Sequence, residues 1–202
     1  MSSPSIFSGV LHRFARDLEV DPRIAYRLLA ERSHKACVVR GIQEPGTRAA
    51  ILVGTQEIAG RTHVSFSDNG AALSGDDVKQ VYAALQAGLV EETRRALVGQ
   101  GVDAAHAIIG PLGLAILGSF LIADMVTIRT RGGTNAGTRY TCTSATYTTE
   151  PYQVARAGTV IQLRVRKERE TLADLAVLRD TLAALRQLSP ITMGSEPTPI
   201  NA

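Results

Sequence analysis

The chain has 202 residues, of which 45% are hydrophobic and 4% aromatic, with 22 Lys and Arg against 19 Asp and Glu. This composition supports an aliphatic core in one domain and excludes a disordered chain. The basic residues form no long run, so we expect no nucleic-acid partner.

Two cysteines, Cys37 and Cys142, and four scattered histidines lack the spacing of a metal site. We expect reduced, buried thiols, which are typical of a cytoplasmic protein. The N-terminus lacks the charge and the long apolar run of a signal peptide. The most apolar run, 108–125, contains proline and glycines, and it predicts a core helix rather than a membrane span.

The first half of the chain predicts two helices, a β-hairpin and a third helix. Apolar residues recur at helical spacing over 5–19, and Asp21-Pro22 is typical of a helix start, here for a helix over 22–39. Alternating residues predict strands 49–53 and 62–67, joined through Gly60. The segment 74–77 is typical of a helix N-terminus and predicts a helix over 78–85.

The segment 86–108 combines mixed charge with spaced glycines and predicts a mobile loop that carries a short helix, as in a lid. Gly110, Pro111 and Gly113 follow, then a helix over 114–123 and a strand from 126. A glycine-rich turn before a helix can hold a phosphate, whereas the same small residues also allow close helix packing. Both interpretations stay open at this point.

The last third predicts strands over 138–149 and 159–165, and a helix over 168–188 with leucine at every third or fourth position. That leucine stripe packs on this domain or forms a coiled-coil-like pairing surface. The tail, 189–202, contains three prolines and is expected to be disordered. Together these elements predict an α+β two-layer sandwich over 1–188, with helices on one face of a mainly antiparallel sheet.

Asp68 is the leading candidate for ligand binding because it ends a buried strand and is followed by Asn69 and Gly70. A carboxylate in this place can accept a hydrogen bond from an exocyclic amino group such as that of adenine. The hydroxyl of Thr159, at the head of another strand, could assist. Asn-Gly is also a strong reverse-turn pair, so a purely structural turn is the alternative.

Three segments, 66–73, 109–131 and 158–163, resemble the nucleotide-binding boxes of the Bergerat-fold ATPases, which include gyrase, histidine kinases and MutL. Within that superfamily the chain looks most like the N-terminal domain of the heat-shock protein 90 chaperones of the HtpG type. The second segment matches without a gap at Ile109, Gly110, Gly113, Phe120, Ala123, Asp124, Val126 and Thr127. The resemblance implies a Bergerat-type sandwich that binds ATP or ADP, a lid over 86–108, protein clients or another partner protein, and a homodimer.

The resemblance implies a nucleotide site formed by Asp68, Gly70, Leu73, Gly110, Gly113, Thr159 and Arg32. In that site the carboxylate would contact the adenine amino group with help from the threonine, and Gly70 would bring backbone near the base. The two glycines of the later turn would open the helix that faces the phosphates. Arg32 is either a cation that neutralises a phosphate or a solvated helix charge.

The family's first box, on the second predicted helix, is altered in this chain. Without a gap, Leu28 stands where the family has a catalytic glutamate and Arg32 where it has a magnesium-binding asparagine. A shift of one residue places Arg27 and Glu31 there instead. Leucine cannot act as a general base and arginine cannot ligate a cation, so we expect weak or absent ATP hydrolysis and no bound Mg²⁺.

Three functions therefore remain in view. The first is an ATP- or ADP-binding chaperone-type domain with a degenerate catalytic box. The second is a non-catalytic interaction module that has lost the nucleotide, which is favoured by the alanines, Ala72 and Ala115, that replace two family glycines. The third is a phosphotransfer domain of histidine-kinase type.

Overall fold

The computed structural model describes residues 21–86, 89–132, 136–143, 146–153, 156–187 and 190–194. The helix predicted over 5–19 lies outside these ranges. The described chain forms, in order, α1 (Ile24–Gln43), β1 (Ile51–Ile58), β2 (Arg61–Asp68), α2 (Gly75–Gln86), α3 (Leu89–Gly99), α4 (Val102–Ser119), β3 (Ala123–Arg131), β4 (Gly137–Thr143), β5 (Tyr147–Tyr152), β6 (Gly158–Val165), a 3₁₀-helix (Lys167–Ala173), α5 (Leu175–Thr181), α6 (Ala183–Arg186) and β7 (Ile191–Gly194).

The described strands form one sheet in the order β5-β4-β3-β6-β2-β1-β7. Neighbouring strands are antiparallel, except that β7 runs parallel to β1. The α+β sandwich with a mainly antiparallel sheet, predicted from the sequence, is confirmed. The elements that carry the leading candidate residues, β2 and β6, are adjacent in the middle of the sheet.

One face of the sheet is apolar and is covered by helices. Val53, Phe66, Ile161 and Ile128 lie in one transverse row across four strands, and each is at most 1% exposed. The Tyr26 ring of α1 stacks 6.1 Å from the Phe66 ring. The core therefore lies between this face and the helices, and alternate residues of each strand point to the opposite face.

A kink divides α4 into two helical halves. Gly110 has φ 72° and ψ 168°, which is not helical, and Pro111 then begins the second half, where its missing N–H is not needed. The predicted turn before a helix is therefore present, although the helix ends at Ser119 and not at Ala123. Within the described ranges α4 alone is long and apolar enough to cross a membrane, with mean hydropathy 1.4, but its second half is buried in the core.

The segment 86–108 is more regular than the sequence suggested. α3 and the first half of α4 are helical, and Gly101, with φ 92°, lies between them. The Gly101 N–H donates to the Ala96 carbonyl at 3.0 Å, which satisfies one of the last carbonyl groups of α3. The prediction of a loop with one short helix is wrong because Gly99 ends α3 and Gly101 directly precedes α4.

Three predictions about the last third are corrected. The single strand expected over 138–149 is the hairpin of β4 and β5, and the helix expected over 168–188 is divided at Asp174 and Leu182. The leucine stripe packs on its own domain, because Leu178 and Leu182 are fully buried. The expected disorder is wrong for 191–194, which form β7 because Ile191 is buried against the sheet at 7% exposure.

Candidate functional site

Three hydroxyl- and carboxyl-bearing residues lie side by side where β2, β6 and β3 meet. The strand register pairs Asp68 with Thr159 and Thr159 with Thr130, and all three are at most 4% exposed. The two threonine hydroxyl oxygens are 3.1 Å apart. The backbone N–H of Leu73 donates to Thr130 Oγ1 at 2.9 Å, which brings that predicted site residue into the network.

Helix α1 passes over this row and presents Arg32 to it. The Arg32 guanidinium donates from Nη1 to Asp68 Oδ2 at 2.6 Å and from Nη2 to Thr159 Oγ1 at 3.2 Å. The Ser33 hydroxyl donates to the same Asp68 oxygen at 2.9 Å. Arg32 is 6% exposed and Asp68 0%, so these groups form a buried, hydrogen-bonded ion pair, which we call the Arg32 cluster.

The Asp68 carboxylate is satisfied by the chain itself. Its other oxygen, Oδ1, accepts the Gly70 backbone N–H at 3.0 Å. Burial raises the pKa of the Asp68 carboxyl, and the Arg32 guanidinium, the Ser33 hydroxyl and the Gly70 N–H oppose that rise. An exocyclic amino group would have to displace the guanidinium to reach Oδ2, so the residues as arranged do not fit adenine.

The two residues after Asp68 hold the chain in place. Asn69 accepts the Ala50 N–H at 2.8 Å and donates to the Arg48 carbonyl at 2.8 Å, which fastens the start of β1. A Cβ on Gly70 would lie 2.4 Å from the carbonyl carbon of Ala36. Gly70 thus lets the chain touch the backbone of α1, which is the structural role that the sequence left open for this turn.

Leu28, which stands where the family has its catalytic glutamate, belongs to the core. Leu28 is 3% exposed, and its Cδ1 lies 2.9 Å from where a Cβ on Gly118 of α4 would stand. Arg27 and Lys35 of the same helix are exposed, as solvated helix charges are. The same interpretation is wrong for Arg32, because that side chain is buried against Asp68.

Gly110 and Gly113 line a cavity that is separate from the Arg32 cluster. This cavity has a volume of about 400 Å³, and its wall also includes Asp77 and Gln80 of α2. Arg32, Asp68, Gly70 and Thr159 do not line it. The structure therefore brings the adenine-side residues together but does not place them in one cavity with the two glycines, and the Asp77 carboxylate disfavours an anion there.

Ser33 and Thr130, which were not predicted from the sequence, complete the Arg32 cluster. The signal for Thr130 was its place on the same sheet face as Thr159, which becomes visible only once β3 is known to pair with β6. The signal for Ser33 was a hydroxyl on the buried side of a helix, next to an arginine. Neither alanine that replaces a family glycine has positive φ, so neither strains the backbone.

The fold and this site define an α+β sandwich domain with an internally satisfied ion-pair cluster. No protein-family model matches the chain. The chain is similar to proteins named chaperone protein HtpG: 32% identical to that of Magnetococcus marinus over 57% of this chain and 18% of the relative. The protein of the same name from Streptomyces coelicolor is 34% identical over 51% of this chain and 17% of the relative. The one from Aromatoleum aromaticum is 28% identical over 93% of this chain and 31% of the relative. The chain thus spans less than a third of each of these relatives. The similarity supports a distant relationship with the heat-shock protein 90 chaperones and a chaperone-like domain.

Proposed function

We propose that this chain is a chaperone-type domain that works in the cytoplasm by binding protein partners, without an adenine nucleotide. The observation that carries the proposal is the Arg32 guanidinium on the Asp68 carboxylate, 2.6 Å apart and buried. The ion pair occupies the acceptor that the family resemblance assigns to the adenine amino group. In this interpretation the ancestral ligand position has become part of the core.

The relative sizes of the competing free energies favour the ion pair. Removing one partner of a buried ion pair typically costs about 3–5 kcal/mol, because the other charge remains uncompensated. A hydrogen bond from a neutral amino group to a charged acceptor returns about 1.5–3 kcal/mol. Adenine therefore cannot offset the displacement of Arg32 through this contact alone.

The proposal also accounts for the altered catalytic box. A general base must reach the proton that it abstracts, and the side chain at position 28 is an aliphatic group packed on Gly118. In the alternative register, position 27 holds an exposed arginine. In neither register does the position of the catalytic glutamate hold a carboxylate, so we expect no ATP turnover.

Titration calorimetry with ATP and ADP, with and without Mg²⁺, tests the proposal. We expect no saturable heat with the wild-type chain at millimolar nucleotide. The Arg32→Ala variant uncovers Asp68, and we expect ADP to raise its Tm while leaving the wild-type Tm unchanged. Arg27→Ala, which removes an exposed arginine from the same helix, is the matched control and should behave as the wild type.

A second candidate is an ATP- or ADP-binding domain without hydrolysis. It is favoured by the placement of Asp68, Thr159 and the Leu73 N–H around one point at the ends of adjacent strands. In this case the Arg32 side chain leaves the carboxylate when the nucleotide arrives. Saturable ADP binding to the wild type that Asp68→Asn abolishes would establish this second function and overturn the first.

A further inference from the structure

The sheet face opposite the apolar core carries a set of arginines. The strand registers place five of them on this face, which we call the arginine face: Arg61, Arg129, Arg131, Arg139 and Arg164. Arg61, Arg139 and Arg164 form ion pairs with carboxylates. Asp124 accepts from Arg61 at 3.1 Å and from Arg164 at 2.6 Å, and Glu150 accepts from Arg139 at 2.5 Å.

Arg129 has no carboxylate partner among the described residues. Its Nη2 donates to the neutral amide oxygen of Gln162 at 3.0 Å. It stands directly opposite Arg139 in the register of β3 and β4, and like charges in that position destabilise a sheet. The Tyr152 ring partly offsets this repulsion, because both guanidinium carbons lie within 5.9 Å of its centroid.

Two polar atoms in one row of the arginine face lack a hydrogen bond. Arg129 Nε and Ser67 Oγ are buried and have no partner within the described chain. The register places Ser67, Val160 and Arg129 side by side across three strands. A buried donor without an acceptor destabilises the fold because its hydrogen bond to water is lost and not replaced, so this row is incomplete within the described chain.

We propose that the arginine face binds an extended acidic segment of a partner protein, with one of its carboxylates on Arg129. A carboxylate supplies the acceptor and the counter-charge that Arg129 lacks within the described residues, and it matches the planar fork of a guanidinium. Alternate residues of a strand are spaced by about 6.8 Å, as are alternate side chains of an extended peptide, so a peptide that lies along β3 presents its side chains in the same repeat. The site lies on the face away from the Arg32 cluster and acts independently of the proposed loss of nucleotide.

The observations favour a polypeptide over a single-stranded nucleic acid. Nucleic-acid platforms combine positive charge with aromatic rings on which bases stack. On this face the Tyr152 ring is already in contact with two guanidinium groups. The ring therefore serves the arginines and does not offer a free surface to a base.

Fluorescence anisotropy with a labelled ten-residue peptide of alternating Glu and Thr tests the proposal. We expect saturable binding to the wild-type chain, and none of the peptide with Gln in place of Glu. Arg129→Gln should weaken binding by about tenfold, the loss of one charge-assisted hydrogen bond. Arg27→Gln, on the exposed side of α1, is the matched control and should leave the affinity unchanged.

A variant that should bind more tightly keeps the proposal testable even if Arg129→Gln does not fold. Glu150→Gln removes the internal competitor for Arg139, so it should raise the affinity for the acidic peptide by about threefold. Millimolar ADP should leave that affinity unchanged, which separates this proposal from the one on nucleotide binding. The proposal is overturned by an absence of saturable binding, by weaker or equal binding to Glu150→Gln, or by tighter binding of a ten-nucleotide thymidine strand than of the acidic peptide.

Discussion

At the scale of single residues, we expect Asp68 to stabilise the fold through its ion pair with Arg32. Asp68→Asn leaves the Arg32 guanidinium buried without a counter-charge, and we expect a loss of about 3–5 kcal/mol in the free energy of unfolding. Urea unfolding followed by circular dichroism measures it. Glu57→Gln, at an exposed position of β1, is the control and should change stability by about 0.5 kcal/mol at most. A carboxylate that served only a ligand would leave Asp68→Asn as stable as this control.

His63 makes stability depend on pH at the other end of β2. The side chain is 7% exposed, and burial, with nearby Arg164 and Arg61, lowers its pKa, which Asp124 and the hydrogen bond with the Arg61 carbonyl oppose. Because the folded-state pKa lies below the unfolded value of about 6.5, the unfolded chain binds the proton first as the pH falls. The free energy of unfolding should therefore decrease as the pH falls below about 6.5.

Urea unfolding at several pH values between 7.5 and 5 measures that slope for the wild type and for His63→Gln. Burial also lowers the pKa of His106, and its contribution has the same sign, so the difference between the two proteins isolates His63. We expect the slope to be smaller in the variant. Parallel slopes in the two proteins would show that His63 is not the group responsible.

At the scale of elements, the contact between α1 and the turn after β2 depends on Gly70. A methyl group there would lie 2.4 Å from the Ala36 carbonyl carbon and 2.5 Å from the Cys37 nitrogen, both backbone atoms of α1. We expect Gly70→Ala to destabilise the fold by about 1–3 kcal/mol, as overpacking does. Gly41→Ala is the matched control, since a Cβ there meets nothing within 4 Å. In a helix interior that change should stabilise by about 0.5–1 kcal/mol. Equal Tm shifts in the two variants would contradict the proposed contact.

Local sequence signals predicted several elements because their physical cause is local. Ser74 and Asp77 cap α2 reciprocally, with hydrogen bonds of 2.8 and 3.2 Å between each backbone N–H and the other side chain. Gly60 closes the first hairpin with positive φ. The hairpin of β4 and β5 was missed because the hydrogen bonds that join its strands at Thr143 and Thr146 involve neither glycine nor proline.

At the scale of the whole molecule, the candidate site was only half predictable. The sequence identified Asp68, Thr159 and Arg32 separately, through strand ends and a family resemblance. It could not show that Arg32 reaches Asp68 across 36 residues and Thr159 across 127, because that contact depends on how α1 crosses the sheet. The pairing that decides between a ligand site and a core ion pair is thus a property of the assembled fold.

The edge of the sheet at β1 depends on β7, the last strand of the described chain, which pairs with β1. The Ile51 N–H donates to the Pro190 carbonyl at 3.3 Å, and Ile191 lies beside Ile51 in the parallel register. Truncation after Ser189 removes the buried Ile191 side chain and leaves β1 as an exposed edge, so we expect a loss of about 2 kcal/mol or more.

Chemical unfolding of two truncated chains measures this contribution. Truncation after Gly194 keeps β7 and is the matched control, and hydrogen exchange at the Ile51 amide reports the lost bond directly. We expect faster exchange and lower stability only in the shorter chain. If both truncated chains match the full-length protein in stability and in Ile51 exchange, then β7 contributes nothing to the sheet, and the interpretation of residues 190–194 as part of the tail is restored.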